Sequence, residues 1–577
     1  MQEGTKKLNK YERYKARVTP YEYFPKIESL DFDNLGEGDR YYLQDFGIFS
    51  ADFMEDEFTL RLRTPAGRVT TKQFSVIADI MTKYHLDLVL TARAGMQLHN
   101  LDSTNILRVF QQINALGITT WQSVGDNIRN IVTDIYDGVG IYNKIEVFPI
   151  LQEMEKSIIK NPRYVGMLPR RISVGISGNS SNVSSLFAND LYFALALKDD
   201  ILGFNVYMGG KNSEVAQDAN IFLKPDEVVE FFKTFIEAFY KHGSRGSRAK
   251  TRLFHLLEKI GMDAFKGFIK DEYKKEFTSA GKLQLKKSNF SAIEKLKDET
   301  YSFCYKTNFS RMNAKEIKDI AVFATEKNAQ IRLGIDQNIY ILGLKDKEVP
   351  FKNLKESATV IACAGSEYCP FSFWNIKNET SYLPLDKISE HQIEVGFSGC
   401  AKGCGRHRHT DIGLIGLKTN NFGDTEGGAR VFIGAGHSEG SSVGRMIFSM
   451  VPLVHLDALF RLVITLFENS SYNDFEEYAT KILNRYSEEF LAMWYLANLQ
   501  TKQTLGLVPD DAKMDTDVSK NFSYEKELLR KHFANEDFME LIEDSFYKAV
   551  NTTSKKLWTI QGKDHNYKPP IKRTVFR

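Results

Sequence analysis

The apolar residues of this chain recur at helical spacing in three long stretches. Pro225 to Tyr273 is one of them, and its pattern predicts helical structure with one buried face. Its apolar stripe consists of Val228, Phe231, Phe232, Phe235, Ile236 and Phe239. Val451 to Leu466 and Phe475 to Leu499 show the same spacing, so further helices are predicted there. Packing in a hydrophobic core explains such stripes better than cofactor binding does.

Two sequence segments occur twice in the same order, which indicates an internal duplication. Thr64 to Leu101 matches Thr307 to Leu344 without a gap, and each copy has the pattern strand, helix, strand. Ile172 to Gly178 matches Ile393 to Gly399 in the same way. The equivalent pairs include Arg68 with Arg311 and Asp190 with Asp411. Chance similarity does not explain the shared order, so we predict a duplicated module with pseudo-twofold symmetry and a cofactor site between its halves.

Length and charge limit the classes of protein to which the chain can belong. At 577 residues it is too long for one hydrophobic core, so three or more structural units are expected. Its 76 basic and 74 acidic residues nearly cancel, so no overall field would attract nucleic acid or an anionic membrane. No apolar run approaches the roughly 18 residues of a membrane span, and Met1 to Val18 has no apolar signal core. We therefore expect a cytoplasmic protein.

Four of the five cysteines lie close together in the sequence. Five residues separate Cys363 from Cys369, three separate Cys400 from Cys404, and 30 residues lie between the pairs. Four deprotonated sulfurs can hold a zinc ion or a 4Fe-4S cluster. The wider gap fits a zinc ribbon poorly, because such ribbons usually space their close pairs by two to four residues. The pattern favours an iron–sulfur cluster, with zinc and unliganded structural cysteines as alternatives.

The sequence around the second cysteine pair resembles a known family. Ser398 to Gly416, SGCAKGCGRHRHTDIGLIG, is similar to the signature of the siroheme-dependent sulfite and nitrite reductases, whose cysteine pairs have the same spacings. The resemblance extends over about Phe46 to Gly440. In that family all four cysteines bind a 4Fe-4S cluster, and the last one, Cys404 here, also bridges to the siroheme iron. Ala401 and Lys402 depart from the family's Cys-Pro-Asn pattern, which alters local hydrogen bonds and not the ligation.

The resemblance also implies a substrate site made of basic residues. The positions that match the family's oxyanion-binding residues are Arg61, Arg129, Arg171 and Ser173. Arginine presents a fixed fork of N–H donors to an oxyanion, and such contacts are strong in a water-poor pocket. Each arginine alone fits a solvated strand residue better, so the prediction depends on their joint match. Because Ser173 is neutral where sulfite reductases tend to have lysine, it slightly favours nitrite.

A second set of positions matches residues that the family places around siroheme. This set comprises Arg93, Gln97, Arg245, Arg248 and Lys250. Siroheme is a polycarboxylate and requires surrounding cations, although Ser244 to Arg252 also fits a solvated basic loop. Gly434 to Gly440 has the spacing GxGxxxG, which does not indicate a dinucleotide domain. His407 and His409 fit a polar loop beside a cofactor better than a separate metal site.

The resemblance implies an α+β fold: a duplicated pseudo-twofold module with two ferredoxin-like units and two larger α/β sulfite/nitrite reductase units. The predicted segments are an N-terminal arm (1–40), ferredoxin-like half 1 (41–160), the siroheme and substrate α/β half 1 (161–298), ferredoxin-like half 2 (299–360), the 4Fe-4S and siroheme-binding α/β half 2 (361–505) and a C-terminal extension (506–577).

The implied activity is the six-electron reduction of nitrite to ammonia or of sulfite to sulfide. We find no flavin or NAD(P)H module, so electrons are expected from ferredoxin or, as the second choice, from a separate flavoprotein. A monomer that binds neither nucleic acid nor membrane is expected. The alternatives are an enzyme similar to precorrin-3B synthase and a non-catalytic protein stabilised by zinc.

Overall fold

The computed structural model describes residues 8–50, 56–307, 309–351, 359–377, 382–419, 426–500 and 504–533. The chain forms two compact units, Met1–Leu354 with Ser438–Gly440, and Lys355–His437 with Ser441–Arg577. Part of the predicted C-terminal extension, from 534 onward, lies outside the described residues. Within the described ranges, no helix has both the length and the apolar character needed to cross a bilayer.

The first unit contains three five-stranded sheets, two of them ferredoxin-like, and the helices that cover them. Its helices are α1 (Lys10–Arg17), α2 (Pro20–Tyr23), α3 (Glu37–Leu43), α4 (Thr71–Tyr84), α5 (Ile106–Ala115), α6 (Phe148–Ile158), α7 (Val228–His242), α8 (Leu253–Ile260), α9 (Met262–Tyr273) and α10 (Ala314–Glu326). Its strands are β1 (Ile48–Phe49), β2 (Phe58–Leu62), β3 (Arg68–Val69), β4 (Asp87–Leu90), β5 (Met96–Leu101), β6 (Val174–Ser177), β7 (Leu191–Lys198), β8 (Ile201–Met208), β9 (Gln217–Leu223), β10 (Lys282–Leu283), β11 (Ile293–Lys295), β12 (Tyr301–Tyr305), β13 (Arg311–Met312), β14 (Gln330–Leu333) and β15 (Ile339–Leu344).

The second unit has one five-stranded sheet and its own helices. The strands are β16 (Val360–Ala362), β17 (Val395–Ser398), β18 (Ile412–Thr419), β19 (Glu426–Ile433) and β20 (Arg445–Pro452). The helices are α11 (Leu385–Glu390), α12 (Leu456–Glu468), α13 (Phe475–Lys481), α14 (Glu488–Gln500) and α15 (Phe522–His532).

The helical predictions are confirmed in part. The predicted stripe lies on α7, and all six of its residues are buried, because they face the core of the first unit. The prediction for 451–466 was wrong at its start, since Val451 and Pro452 still belong to β20. The prediction for 475–499 was wrong in treating the stretch as continuous. Between α13 and α14 the chain forms a 3-10 helix, Leu483–Arg485, and Arg445 donates hydrogen bonds to the carbonyls of Leu483 and Tyr486, which are then not available for a continuous α-helix.

The first repeated segment forms two sheets that exchange a strand. Their orders are β1-β2-β5-β4-β13 and β11-β12-β15-β14-β3. Arg311 of β13 pairs with Val89 of β4, and Arg68 of β3 pairs with Arg332 of β14. Arg68 and Arg311 are equivalent in the repeat, so the exchange is symmetrical, and the equivalent helices α4 and α10 pack together. The predicted duplication and the two ferredoxin-like units are thereby confirmed.

The two copies of the second repeated segment have the same strand arrangement and one equivalent hydrogen bond. In each copy a parallel pair, β6 with β7 and β17 with β18, is followed by two antiparallel strands. Asp190 accepts a hydrogen bond from the backbone N–H of Ser173 at 2.9 Å. Asp411 accepts the equivalent bond from Glu394, also at 2.9 Å. The two copies therefore share topology and one buried carboxylate contact.

The described part of the N-terminal segment packs against the first unit. Tyr23, Ile27 and Tyr42 belong to the same hydrophobic core as β2 and β5. Lys15 of α1 is buried and binds Asp126 at 3.0 Å, far along the chain. The predicted division of the chain into six segments stays a prediction.

Candidate anion site and cysteine site

Four predicted arginines come together in the first unit. Arg61 lies on β2, and Arg93 lies in the turn between β4 and β5. Arg129 and Arg171 lie on adjacent segments, which are joined by a parallel bridge between Ile128 and Ile172. Arg171, Arg61 and Arg93 are close enough to act electrostatically on Arg129. Residues from four separate stretches of sequence therefore form one group of positive charges, which we call the arginine cluster.

Arg129 is the most constrained member of the cluster. Its side chain donates hydrogen bonds to the carbonyls of Ser123 and Gly125, and the residue is only 7% exposed. Its Nε is buried without a hydrogen-bond partner among the described residues. Burial, followed by the charges of Arg171 and Arg61, lowers the pKa of Arg129 well below its ordinary value. A buried cation surrounded by like charges creates a local demand for an anion.

Arg171 shares Arg93 and Arg170 with Arg129 as charged neighbours but has fewer hydrogen bonds. Burial, and then Arg93 and Arg252, lower the pKa of Arg171 well below its ordinary value, although Asp190 opposes them. Among the described residues, none accepts a hydrogen bond from the Arg171 guanidinium. Its N–H donors are therefore available to a bound oxyanion.

Hydrogen bonds to neighbouring strands and loops orient the other members. Arg61 is opposite Gln97 in the register of β2 with β5, and the Gln97 amide oxygen, turned toward Arg61, accepts from its Nε at 2.9 Å. Asn130 donates to the carbonyls of Thr64 and Arg93 at 2.8 Å each. That amide fixes the turn carrying Arg93 to the segment carrying Arg129. Gln97, which was predicted from the sequence, orients Arg61 of the cluster through its amide oxygen.

Ser173 lies two residues after Arg171 of the arginine cluster. Its hydroxyl donates to Asp190 at 2.7 Å, and Arg252 binds the other oxygen of the same carboxylate at 2.7 Å. Ser173 is 2% exposed and Asp190 is fully buried. In this arrangement the serine proton is directed at Asp190. The oxyanion-binding role of Ser173 stays a prediction.

The predicted basic turn is held by carboxylates. Arg248 makes a two-pronged contact with Asp126 at 2.5 and 2.7 Å, and Arg245 binds Glu12 of α1 at 2.6 Å. Lys250 is exposed. The structure therefore does not bring these residues into the arginine cluster, and their contact with siroheme stays a prediction.

Sequence reasoning missed several residues that build the site. Arg63 is 1% exposed, pairs with Glu155 at 2.7 Å and donates to the carbonyl of Arg129 at 3.1 Å, so it fixes the backbone of the cluster. A second arginine two residues after Arg61 was the available signal. Nothing in the sequence indicated that Lys15 would reach Asp126.

The four clustered cysteines lie in the second unit at one edge of its sheet. Cys363 directly follows β16, and one residue separates Cys400 from the end of β17. Because β16 and β17 are parallel, their carboxyl ends meet at the same edge, and this brings both cysteine pairs together. The Cys363 sulfur accepts backbone N–H groups of Gly399 at 3.1 Å and Gly365 at 3.4 Å. Such donors stabilise a thiolate ligand.

The thiols are close enough to interact by charge. Burial, and then the neighbouring Cys404, raise the pKa of Cys363 to about 12. Burial also raises the pKa values of Cys369 and Cys400, and Cys404 adds to that effect. All four cysteines are described, and no three of their sulfurs lie within 4.8 Å of one another. A tetrahedral zinc ion with bonds of about 2.3 Å would need sulfurs about 3.8 Å apart. The wider arrangement suits a larger inorganic cluster.

Comparison with known proteins identifies the family whose domains this chain contains. A family model for the nitrite/sulfite reductase ferredoxin-like half domain matches residues 54–116, and one for the nitrite and sulphite reductase 4Fe-4S domain matches residues 124–277. These two segments are therefore domains of the nitrite and sulfite reductase family. Both matches fall in the first copy of the duplicated reductase module, whereas the cysteines lie in the second.

Relatives of this reductase chain cover most of its length. Ferredoxin–nitrite reductase of Synechococcus elongatus is 26% identical over 499 residues, which are 80% of this chain and 97% of that protein. The chloroplastic ferredoxin–nitrite reductase of Spinacia oleracea is 26% identical over 432 residues, covering 68% of this chain and 72% of that protein. The NirA protein of Mycobacterium tuberculosis has the same fold, with a TM-score of 0.74 at 20% identity, covering 82% and 96% of the two chains.

The residues present fit both cofactors of the reductase family. For a 4Fe-4S cluster the second unit offers four sulfurs with backbone N–H groups at Cys363, and Cys404 is exposed while its three partners are partly covered. For siroheme the first unit offers a group of neighbouring guanidinium side chains, including Arg93, that suits a polycarboxylate. The chain is thus an oxidoreductase of the iron–sulfur and siroheme class.

Proposed function

We propose that this reductase converts nitrite to ammonia, taking six electrons in turn from ferredoxin. The observation that carries the proposal is the arginine cluster, in which Arg129 is buried among Arg61, Arg93 and Arg171. Like charges at this density in a protein interior are unfavourable unless an anion binds among them. A small oxyanion has the size and charge to satisfy them.

The arginines would hold the substrate and help its protonation. Arg61 and Arg129 would clamp the nitrite oxygens, because their orientations are fixed by Gln97 and by the carbonyls of Ser123 and Gly125. Arg171 would donate hydrogen bonds to the oxygen that leaves as water, with ordered water resupplying protons.

Two cofactors would supply the redox chemistry, and the chain supplies their ligands. When bound, siroheme and the 4Fe-4S cluster provide the metal site for the anion and the route for single electrons. Cys363, Cys369, Cys400 and Cys404 would hold the cluster. The exposure of Cys404 suits its predicted second role as the bridging sulfur. Arg93, Gln97, Arg245, Arg248 and Lys250 are proposed to contact siroheme, with the basic residues among them facing its carboxylates.

Two observations favour nitrite over sulfite. Ser173 adds no charge to the cluster and directs its hydroxyl at Asp190, so the site has one cation fewer than a lysine at this position would give. The named relatives are ferredoxin–nitrite reductases, which also supports ferredoxin as the donor and disfavours the precorrin-3B synthase and zinc-protein alternatives. We further propose that the enzyme is a cytoplasmic monomer.

The test compares both anions on the purified holoprotein with a chemical reductant. We expect ammonium from nitrite, with kcat/KM for nitrite exceeding that for sulfite by about tenfold or more. Formation of sulfide at equal or higher efficiency would assign the enzyme to sulfite. Failure to reduce either anion in a protein that carries both cofactors would exclude the proposal.

Arg171→Gln tests the role of the cluster. It should lower kcat/KM for nitrite by about 10²- to 10³-fold, as expected when one donor to a developing charge is removed. Arg171 donates to no described protein group, so the thermal midpoint Tm should stay unchanged or rise. The matched control is Arg163→Gln, since Arg163 lies on the surface of the same unit and pairs with Glu237. Equal activity of both variants would contradict the assignment.

A further inference from the structure

Three buried metal-binding side chains meet in the second unit, at a place that the proposed reaction does not use. Asp411 immediately precedes β18, and His437 follows the end of β19. Because β18 and β19 are antiparallel, the start of one lies beside the end of the other. Glu476 of α13 completes the group, which therefore draws on two strand ends and a helix.

The three ligand atoms are already close together. His437 Nε2 is 3.1 Å from an Asp411 oxygen and 3.5 Å from a Glu476 oxygen, and all three atoms lie within 4.8 Å of one another. Asp411 is 3% exposed, His437 5% and Glu476 7%. Ligands bonded to one ion at about 2.0 to 2.2 Å are separated by distances of this order. The group thus needs little rearrangement to coordinate a cation.

The other copy of the repeat shows how the equivalent carboxylate is balanced. Asp190 corresponds to Asp411, and Arg252 binds it at 2.7 Å. Arginine cannot lose its charge in a protein, so Asp190 has a permanent cation beside it. At Asp411 the neighbour is a histidine with a second carboxylate, Glu476. The permanent cation of the first copy is thus replaced by a titratable imidazole, which can also be a metal ligand.

We propose that Asp411, His437 and Glu476 bind one structural divalent metal ion, of which Zn²⁺ is the best match. One imidazole nitrogen with two carboxylate oxygens is a ligand set that zinc accepts, and a water molecule would complete its four-coordinate shell. The burial of all three ligands suits a closed structural site rather than a catalytic one. The site is independent of the four cysteines, and the ion would tie α13 to the ends of β18 and β19.

The electrostatics of His437 agree with this proposal. Burial alone would lower the pKa of His437, but Glu476, Asp411 and Glu394 raise it to about 9. Three carboxylates around one imidazole attract positive charge to this point. A metal ion can supply this positive charge instead of a proton, and the imidazole would then bind the metal in its neutral form.

A second His–Glu–Glu group on the surface provides a matched control. Glu390, His391 and Glu468 also place three ligand atoms within 4.8 Å, but they are exposed or half-buried. Lys387 lies 3.0 Å from Glu390 and 2.9 Å from Glu468, so an amino group already neutralises this set. We expect no tightly held metal there.

The test measures metals in holoprotein produced with added zinc and then dialysed. We expect about one zinc per chain in addition to the iron, and X-ray absorption at the zinc edge should show nitrogen and oxygen neighbours without sulfur. His437→Asn and Glu476→Gln should each lose this zinc while keeping the iron and its absorption spectrum. His391→Asn should keep both metals.

Several results would overturn the site. Wild-type holoprotein without stoichiometric zinc, or zinc with sulfur neighbours, would exclude it, and neither measurement depends on a variant that folds. Zinc retained in both His437→Asn and Glu476→Gln would also exclude it. The iron content and nitrite turnover are read separately, so failure here is distinguishable from failure of the proposed reductase function.

Discussion

Asp45 shows how a buried side chain acquires its charge state from its neighbours. Its Oδ1 accepts a hydrogen bond from Asn127 at 2.6 Å, whereas Oδ2 has no partner among the described residues. Glycines at 125 and 166 give the carboxylate room, because a Cβ at either position would collide with it. Burial, and then the charge of Asp126, raise the pKa of Asp45 to about 7. Folded protein therefore holds a proton that an unfolded aspartate releases.

We predict that Asp45→Asn stabilises the protein at pH 8 and has little effect near pH 4. A carboxyl group with a raised folded-state pKa stabilises fully below its unfolded pKa of about 4, and this contribution is lost as pH rises through about 7. Asparagine keeps the shape and cannot ionise. A shift of about three pK units sets an upper limit of about 4 kcal/mol.

The measurement is the Tm of both proteins between about pH 5 and pH 8. The difference should grow with pH and reach several degrees. Asp200→Asn is the control, because Asp200 is exposed on the turn between β7 and β8. A Tm difference that is constant with pH would mean that packing and not protonation explains the effect.

Residue roles were predictable where residue type and spacing carry chemistry. Arg61, Arg129 and Arg171 were found through their joint family match, and the structure brings them together. Lys15 and Asp126 were not paired in advance, because a contact across 111 residues leaves no local pattern.

At the scale of elements, the exchanged strands β3 and β13 depend on the opposite copy. Each has only two residues and pairs with a strand of the other ferredoxin-like sheet. Matching residues at a constant offset predicted the repeat, but two residues are too few to show a strand period, so the strand exchange could not be predicted from the sequence. The turn before β3 contains Gly67, where the chain passes close to Leu333 of β14.

Gly67→Ala should destabilise the protein much more than Gly343→Ala. Both glycines have a positive φ, +67° and +91°, so each alanine has a conformational cost of about 1 to 2 kcal/mol. At Gly67 the new Cβ would also collide with the Leu333 carbonyl oxygen, whereas nothing lies within 4 Å at Gly343. The larger loss of Tm should accompany faster amide exchange in β14. Equal losses would show that the close approach of β3 to β14 contributes nothing.

At the scale of the whole molecule, duplication has been followed by specialisation. The first copy carries the arginine cluster, and the second carries the clustered cysteines, although both retain the carboxylate contact of Asp190 and Asp411. The cysteine site was predictable because its ligands follow parallel strands within 42 residues. The carboxylates that hold Arg245 and Arg248 were not, since Glu12 and Asp126 come from segments distant in sequence.

A cysteine variant in the second copy can show the effect of losing one cluster ligand without a large effect on folding. Cys404 is exposed, so Cys404→Ser removes little packing, and loss of the cofactors would reflect loss of a ligand. We expect the variant to lose most of the approximately four irons of the cluster, together with its visible absorption and nitrite turnover.

Cys304→Ser is the control, because Cys304 is buried in the first unit within a cluster that includes Tyr136 and Leu342. Its buried serine hydroxyl should lower the free energy of unfolding by about 1 to 3 kcal/mol, and with it Tm, but leave iron and colour intact. Full iron and turnover in Cys404→Ser would require a cluster held by other residues, because one sulfur out of four cannot be removed from such a site without consequence.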